Sequence, residues 1–181
     1  MGRLAISVIE EIKVEELWVE FGTGEHFRYI AVHAIVSSLG ADKSKPSFHV
    51  LTVCDTVSFF GWKGKMKVWN IWTAFPTVTS VFSELGTVKA NLSQDAFEKI
   101  EQFVVFMYEK NSTATTLNAA RQKVFSQRCK AFESISPTQD AVRQHTLRAT
   151  CQAFWGDQCL HRAPKLSSPS AGGWIKDEGQ P

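Results

Sequence analysis

The sequence lacks the features that mark several common classes of protein. No apolar run reaches the roughly 18 residues of a membrane helix, and no secretory signal opens the chain, so we expect an intracellular protein with no membrane association. Its four cysteines are scattered without a C-x-x-C pair, which argues for reduced thiols and against a disulfide framework or structural zinc. The formal net charge is only +2, so any binding to nucleic acid would need a local basic patch.

The first quarter of the chain combines helix and strand patterns. Apolar residues at helical spacing predict a helix over residues 4–12, and alternating residues predict a half-buried strand over 14–21. A second extended piece follows at 27–30, and a helix over 31–39 is predicted to end at Gly40. These elements fit one half of an α/β sheet without completing it.

From Ser93 onward the pattern is that of helices only. Ser93 can cap a helix whose apolar stripe predicts a packed core face. A second helix is predicted with four residues on its inner side, namely Leu117, Ala120, Val124 and Phe125. For a third helix, Ser136 stands at the cap, Pro137 at the first helical position and Gln139 at the third. This capping box predicts a helix that begins at Pro137.

Composition divides the chain into three predicted regions. Residues 1–90 form the α/β region, residues 91–159 form the helical region, and residues 160–181 form a tail rich in proline, serine and glycine. Such a tail is expected to be flexible, with Trp174 docking back onto the fold.

One acid stands alone in the central stretch, residues 48–72. Asp55 follows an apolar run that ends at Cys54, so we expect its carboxylate to emerge where buried structure gives way to a turn. A carboxylate held at such an edge can bind Mg²⁺ or Mn²⁺. It can also start a turn or cap a helix by bonding to nearby backbone groups, and on the residues alone we favour that structural role.

A glycine-spaced basic turn follows this acid. Gly61 and Gly64 allow the backbone to turn tightly, and a helix predicted to begin near Lys65 would point free N–H groups outward. Such a helix start attracts anions. The side chains that add positive charge there are those of Lys63, Lys65 and Lys67. The residues alone support equally a phosphate-binding hairpin and a simple turn whose lysines are solvated. They do not form a P-loop, which needs four residues between its glycines.

The order of carboxylate, short loop, glycine-basic hairpin and helix resembles the C-terminal part of flap-endonuclease-like (PIN-like) nucleases. In those proteins the end of a strand precedes a helix–hairpin–helix turn that grips a DNA backbone. The chain is still more similar to a group of multi-copy eukaryotic proteins associated with mobile elements, which carry a segment like H-x-x-T-G-C-D-T-V-S-x-F-x-G-x-G-K-K-T-A-W. The residues that fit this segment in register are His49, Thr52, Cys54, Asp55, Thr56, Val57, Ser58, Phe60, Gly64, Lys65 and Trp69. The similarity extends over nearly the whole chain.

The chain departs from the resembled pattern in two respects. Val53 stands where the segment has glycine, Lys67 where it has threonine, and Trp62 where it often has a small or basic residue. Because a β-branched residue is strained in the positive-φ conformations open to glycine, Val53 is expected to alter the loop that holds Asp55. The resemblance also implies a metal site built from several acids on an earlier strand, and this chain opens with what resembles the helix after that strand. Because two-metal hydrolysis needs several acids to hold ions about 4 Å apart, we expect the isolated chain to be weakly active or inactive.

The resemblance therefore implies a helix-rich α/β fold, the C-terminal half of a PIN-like domain followed by a helical bundle and a disordered tail. It implies a fragment of a metal-dependent, phosphodiester-hydrolysing nuclear protein, with Asp55 as the remaining catalytic residue and ligand of Mg²⁺ or Mn²⁺. The residues implied to contact DNA are Gly61, Lys63, Gly64, Lys65 and Lys67. Two alternatives remain: a non-catalytic module that binds nucleic acid or a protein, and a degraded mobile-element remnant. Besides DNA, a protein that supplies the missing half of the fold is an expected partner.

Overall fold

The computed structural model of the chain describes residues 9, 14–40, 47–53, 60–61, 63–85, 92–126, 135–158, 161–164 and 168–174. These residues form a helix-rich fold with one small sheet. The strands are β1 (Trp18–Phe21) and β2 (Arg28–Ala31). The helices are α1 (Val32–Leu39), α2 (Ser47–Val53), α3 (Lys65–Ala74), α4 (Val78–Leu85), α5 (Gln94–Tyr108), α6 (Leu117–Ser126) and α7 (Gln139–Gln158). Within this described part, no helix has the length and apolarity to cross a membrane. The helix predicted over 4–12 lies almost wholly outside it.

The sheet is an antiparallel hairpin of two strands. Trp18 pairs with Ala31 at one end of the register, and Phe21 pairs with Arg28 at the other. Gly22 is required in the connecting turn, because its φ of +90° favours glycine and a Cβ there would collide with the carbonyl oxygen of His26. Helix α1 follows β2 directly and ends at Gly40, as predicted. The predicted mixture of many helices with few strands is therefore observed.

Helix α2 occupies the apolar run that precedes Asp55. The resemblance to PIN-like nucleases implies a strand end here, whereas residues 47–53 are helical. Phe48 stacks on Trp72 with ring centroids 4.5 Å apart, and Leu51, one turn later, is fully buried. The hydroxyl of Thr52 donates to the Phe48 carbonyl at 2.7 Å, a bond typical of helical spacing. The chain therefore buries this run by helical rather than by sheet packing.

Helix α5 lies at the centre of the fold and contacts α3, α4, α6 and α7. The Ser93 hydroxyl accepts a hydrogen bond from the Ala96 N–H at 3.2 Å, which confirms the predicted cap. The apolar stripe predicted for this helix is fully buried, at Phe97, Ile100, Val104 and Met107. Each Leu- or Phe-sized side chain buried in this way stabilises the fold by about 1.5–3 kcal/mol.

Aromatic rings join the helices on either side of residue 90 into one core. Phe82 of α4 packs edge-to-face against Trp72 of α3 and against Phe103 of α5, with centroids 5.2 and 5.4 Å apart. The indole N–H of Trp72 donates to the Thr79 hydroxyl at 2.9 Å, so this buried ring leaves no polar group without a partner. The core therefore crosses the position at which composition changes.

Helix α7 begins two residues later than the capping box predicts. Thr138 is the capping residue, since its hydroxyl accepts from the Ala141 N–H at 3.2 Å. Ser136 is buried, and its carbonyl accepts a hydrogen bond from the Arg121 guanidinium. The Gln139 side chain bonds to Glu101 on α5 and cannot reach back to close a capping box. A tertiary contact thus overrides the local signal. Val142, His145, Ala149 and Ala153 form the buried face of this helix.

Two further predictions have different outcomes. Phe125 of α6 is 74% exposed, although Leu117, Ala120 and Val124 on the same helix are buried as predicted. At 100° per residue, Phe125 lies about 80° around the helix from Leu117, outside the buried stripe. In the C-terminal segment, Trp174 does dock back: its ring stacks on Trp155 of α7 with centroids 5.7 Å apart.

Candidate nucleic-acid interface

The predicted basic turn is anchored to the helical bundle by the residue that precedes it, Phe60. Phe60 is buried and packs edge-to-face on His145 of α7, with centroids 4.8 Å apart. The N–H of Lys63 donates to the Phe60 carbonyl at 3.3 Å, which closes a turn around Gly61. Helix α3 then begins at Lys65, as predicted. We call residues 61–67 the lysine hairpin.

Neither the backbone angles nor the surrounding space requires glycine at either position of the lysine hairpin. Gly64 occupies the N-cap of α3 with φ −64° and ψ 150°, values that any residue adopts. A Cβ added at Gly61 or Gly64 would meet no atom within 4 Å. The backbone is therefore open to solvent on this side. Because Gly64 has no side chain to cap the helix, the N–H groups of the first turn remain free to bind an anion.

The ammonium group of Lys63 is fixed in position. It lies 4.1 Å from the centroid of the Tyr108 ring at the end of α5, within the range of a cation–π contact. Partial burial lowers its pKa, and the nearby positive charge of Lys67 lowers this pKa further. Two like charges are thus held close together. A bound anion would relieve their repulsion.

Several other cations among the described residues have partners within the fold. Lys99 pairs with Asp95 at 2.7 Å, and Lys123 pairs with Glu109 at 3.6 Å. The Arg143 guanidinium stacks on a phenylalanine ring and bonds to a glutamine. By contrast, no carboxylate in the described ranges pairs with the lysines of the hairpin, which are Lys63, Lys65 and Lys67. Their charge is available to an external anion.

A groove adjoins the lysine hairpin between α3 and α5. Its volume is about 530 Å³, within the range of about 300–1,000 Å³ seen for ligand pockets. Its lining residues are Lys67, Asn70, Ile71, Ala74, Phe75, Phe106 and Lys110. The residues from α3 follow the i, i+3, i+4, i+7 spacing of a single helix face. Lys67 belongs both to this groove and to the lysine hairpin.

The groove is the part of the site that the sequence prediction missed. The spacing of Lys67, Asn70, Ile71 and Ala74 marks one face of α3 and was a usable signal. The opposite wall, Phe106 and Lys110, comes from the last turn of α5 and the turn that follows it, more than 30 residues later in the chain. No short-range pattern in the sequence predicts that these two surfaces form one groove.

The predicted metal ligand lies outside the described residues. Asp55 belongs to the segment between α2 and Phe60, so its position relative to the lysine hairpin is not part of the structure. Within the ranges that are described, no three side chains of the histidine, cysteine, aspartate and glutamate types are grouped as metal ligands.

Comparison with known proteins adds no relative. No protein-family model, no curated protein and no solved structure matches this chain. Function has to be inferred from the chemistry of the site, because neither a family nor a fold neighbour supplies it.

Proposed function

We propose that the chain is a nucleic-acid-binding module that holds the phosphate backbone on the lysine hairpin. The observation that carries this proposal is a group of three lysines beside an uncapped helix start, none of which pairs with a carboxylate in the described part of the chain. Lysine ammonium groups and free backbone N–H groups at a helix start are the donors that bind phosphate in many proteins. Lys63 and Lys67 repel each other in the free protein, so phosphate binding would gain the relief of that repulsion.

The same residues predict the character of the binding. With a net charge of +2, the chain has no general attraction for polyanions, so binding depends on a few contacts at one place. Removing one lysine that neutralises a phosphate should make the plot of log affinity against log salt concentration shallower by about 0.7–0.9. Phosphate-binding lysines position a strand and do not read its sequence.

Fluorescence anisotropy with a labelled oligonucleotide at several salt concentrations tests the proposal. The double variant Lys65→Gln/Lys67→Gln should bind at least tenfold more weakly, with a salt slope smaller by about 1–2. The matched control, Arg28→Gln/Arg162→Gln, removes the same charge from exposed positions elsewhere that pair with no carboxylate of the described residues, and it should bind like the wild type. Equal weakening in both variants would mean that only total charge matters, and the proposal would fail.

A second candidate is metal-dependent phosphodiester hydrolysis by a protein with a PIN-like fold. The resemblance of the segment around Asp55 to the mobile-element-associated proteins is the observation that favours it. Calorimetry with Mn²⁺ on the wild type and on Asp55→Asn, followed by addition of branched DNA, tests this candidate. Saturable binding that is absent in the variant, together with DNA cleavage, would support hydrolysis. Absence of Mn²⁺ binding would exclude it for the isolated chain, and a partner chain with further acids would then be needed for activity.

A further inference from the structure

The groove between α3 and α5 has a composition that phosphate binding alone does not explain. Its floor is apolar and includes the aromatic rings of Phe75 and Phe106, whose centroids are 5.2 Å apart. Both rings are only partly buried. An aromatic surface open to solvent offers a stacking face to a flat ligand.

The rim of the groove is cationic. Lys67 and Lys110 stand at its edge together with the Asn70 amide, and none of the described residues that line it is an acid. Glu109, the acid adjacent to Lys110, forms its ion pair with Lys123 of α6. The groove thus combines an apolar floor with a positive rim, which complements a ligand that has a flat apolar part and a negative charge beside it.

We propose that this groove receives one unstacked base of a single-stranded nucleic acid. The inference rests on the proposed function, since the phosphates that flank this base lie on the lysine hairpin. Lys67 lines both surfaces and so connects the phosphate site to the base site. The Asn70 amide can donate a hydrogen bond to the edge of the base and accept one from it. The flat faces of the base would stack on the aromatic floor.

The proposal implies a preference for single strands over duplexes. In a duplex the bases are paired and stacked, so filling the groove would first require one base to be extruded. A single strand presents its bases freely, and aromatic stacking tolerates any base. An oligonucleotide without bases would keep every phosphate on the lysine hairpin and would leave the groove unfilled.

The experiment compares three fluorescein-labelled probes of equal length: oligo(dT), the same backbone with abasic sites, and a duplex. Wild-type protein should bind oligo(dT) about tenfold more tightly than the abasic strand, an effect of the size that stacking on an aromatic side chain produces. The duplex should bind about as weakly as the abasic strand.

A variant that fills the groove gives the decisive comparison. Ala74 is exposed at the end of α3, so Ala74→Leu adds bulk to the groove and disturbs no buried side chain. It should lower oligo(dT) affinity to the abasic level and leave abasic affinity unchanged. The matched control is Thr73→Leu, the same new side chain on an exposed neighbouring residue that does not line the groove. This control should bind both probes like the wild type, and thermal unfolding followed by circular dichroism verifies that both variants fold.

The outcomes separate this inference from the function on which it rests. Equal, salt-dependent binding of oligo(dT) and the abasic strand overturns the base site and leaves the phosphate site standing. Undiminished preference for oligo(dT) in Ala74→Leu also overturns it. Absence of binding to all three probes overturns both proposals. Tighter binding of an acidic peptide with a phenylalanine anchor than of oligo(dT) would overturn the base site and assign the groove to a protein ligand.

Discussion

Replacing Glu101 with glutamine should destabilise the fold by about 2 kcal/mol, although the two side chains have nearly the same shape. Glu101 is 1% exposed and lies on the central helix α5. One carboxylate oxygen accepts the Leu117 N–H at 2.8 Å, at the start of α6. The other accepts the Gln139 side-chain amide at 3.1 Å, at the start of α7. A single buried acid thus joins three helices.

The magnitude follows from the chemistry of the two partners. Both are donors, and glutamine has one acceptor oxygen and one donor nitrogen. The variant can therefore satisfy one partner only, and its own N–H group faces the other donor. A hydrogen bond to a charged group contributes about 1.5–3 kcal/mol, which gives a loss of about 2 kcal/mol for Glu101→Gln. In a chain of this size the midpoint of thermal unfolding should fall by about 4–8 °C.

Urea unfolding followed by circular dichroism measures this loss, with Glu98→Gln on the exposed side of the same helix as control. The control should change the free energy of unfolding by less than about 0.5 kcal/mol. A swap supplies the stricter test: Glu101→Gln combined with Gln139→Glu again gives each donor an acceptor. The swapped protein should regain at least half of the stability that Glu101→Gln removes. Wild-type stability in Glu101→Gln, or no gain in the swap, would refute the structural role of this acid.

Three further predictions concern other single residues. Burial lowers the pKa of His145, whose neutral ring bonds to the Leu51 carbonyl. Because this histidine has a pKa near 6.5 in the unfolded chain, the unfolded state binds its proton more readily, and the free energy of unfolding should fall as the pH drops below 6.5. Urea unfolding at pH 7 and pH 5.5 should show this difference in the wild type and not in His145→Gln. Ser93→Ala should cost about 1 kcal/mol in the same assay, because the variant cannot cap the Ala96 N–H. Gly64→Asp should raise the unfolding midpoint by capping α3, yet weaken oligonucleotide binding, because its carboxylate competes with phosphate for the same N–H groups. Stronger binding by that variant would exclude the helix start as a phosphate site.

The boundaries of several elements could be predicted because short-range signals decide them. Ser93 caps α5, the lysine hairpin leads into α3, and Gly40 ends α1 with a positive φ. Each signal acts within four residues, so no knowledge of the tertiary structure is needed. The lysines of the candidate site were visible for the same reason, since they lie within five residues of one another.

Other features depend on contacts that the sequence does not announce. The apolar run of α2 is short enough to form either a strand or a helix. In the fold it is helical, and Phe48 packs on Trp72 of α3, a contact between residues 24 positions apart. The start of α7 is set by Glu101, 38 residues earlier in the chain than its partner Gln139. An acid next to an apolar stripe is normally read as exposed, so its role as a shared acceptor was not predicted.

The attachment of the lysine hairpin decides how its charge would act on a ligand. Phe60 fixes the beginning of the turn to His145 on α7, and Tyr108 on α5 holds the Lys63 ammonium. Because the Lys63 ammonium is positioned before a ligand arrives, its binding to phosphate would lose less side-chain entropy than that of an unrestrained lysine. Protonation of His145 would disturb this support through Phe60 without removing a charge from the hairpin. Protonation of His145 should therefore weaken binding by the same factor at every salt concentration. Substitution of a lysine instead changes the slope of log affinity against log salt concentration, so one set of titrations separates the two effects.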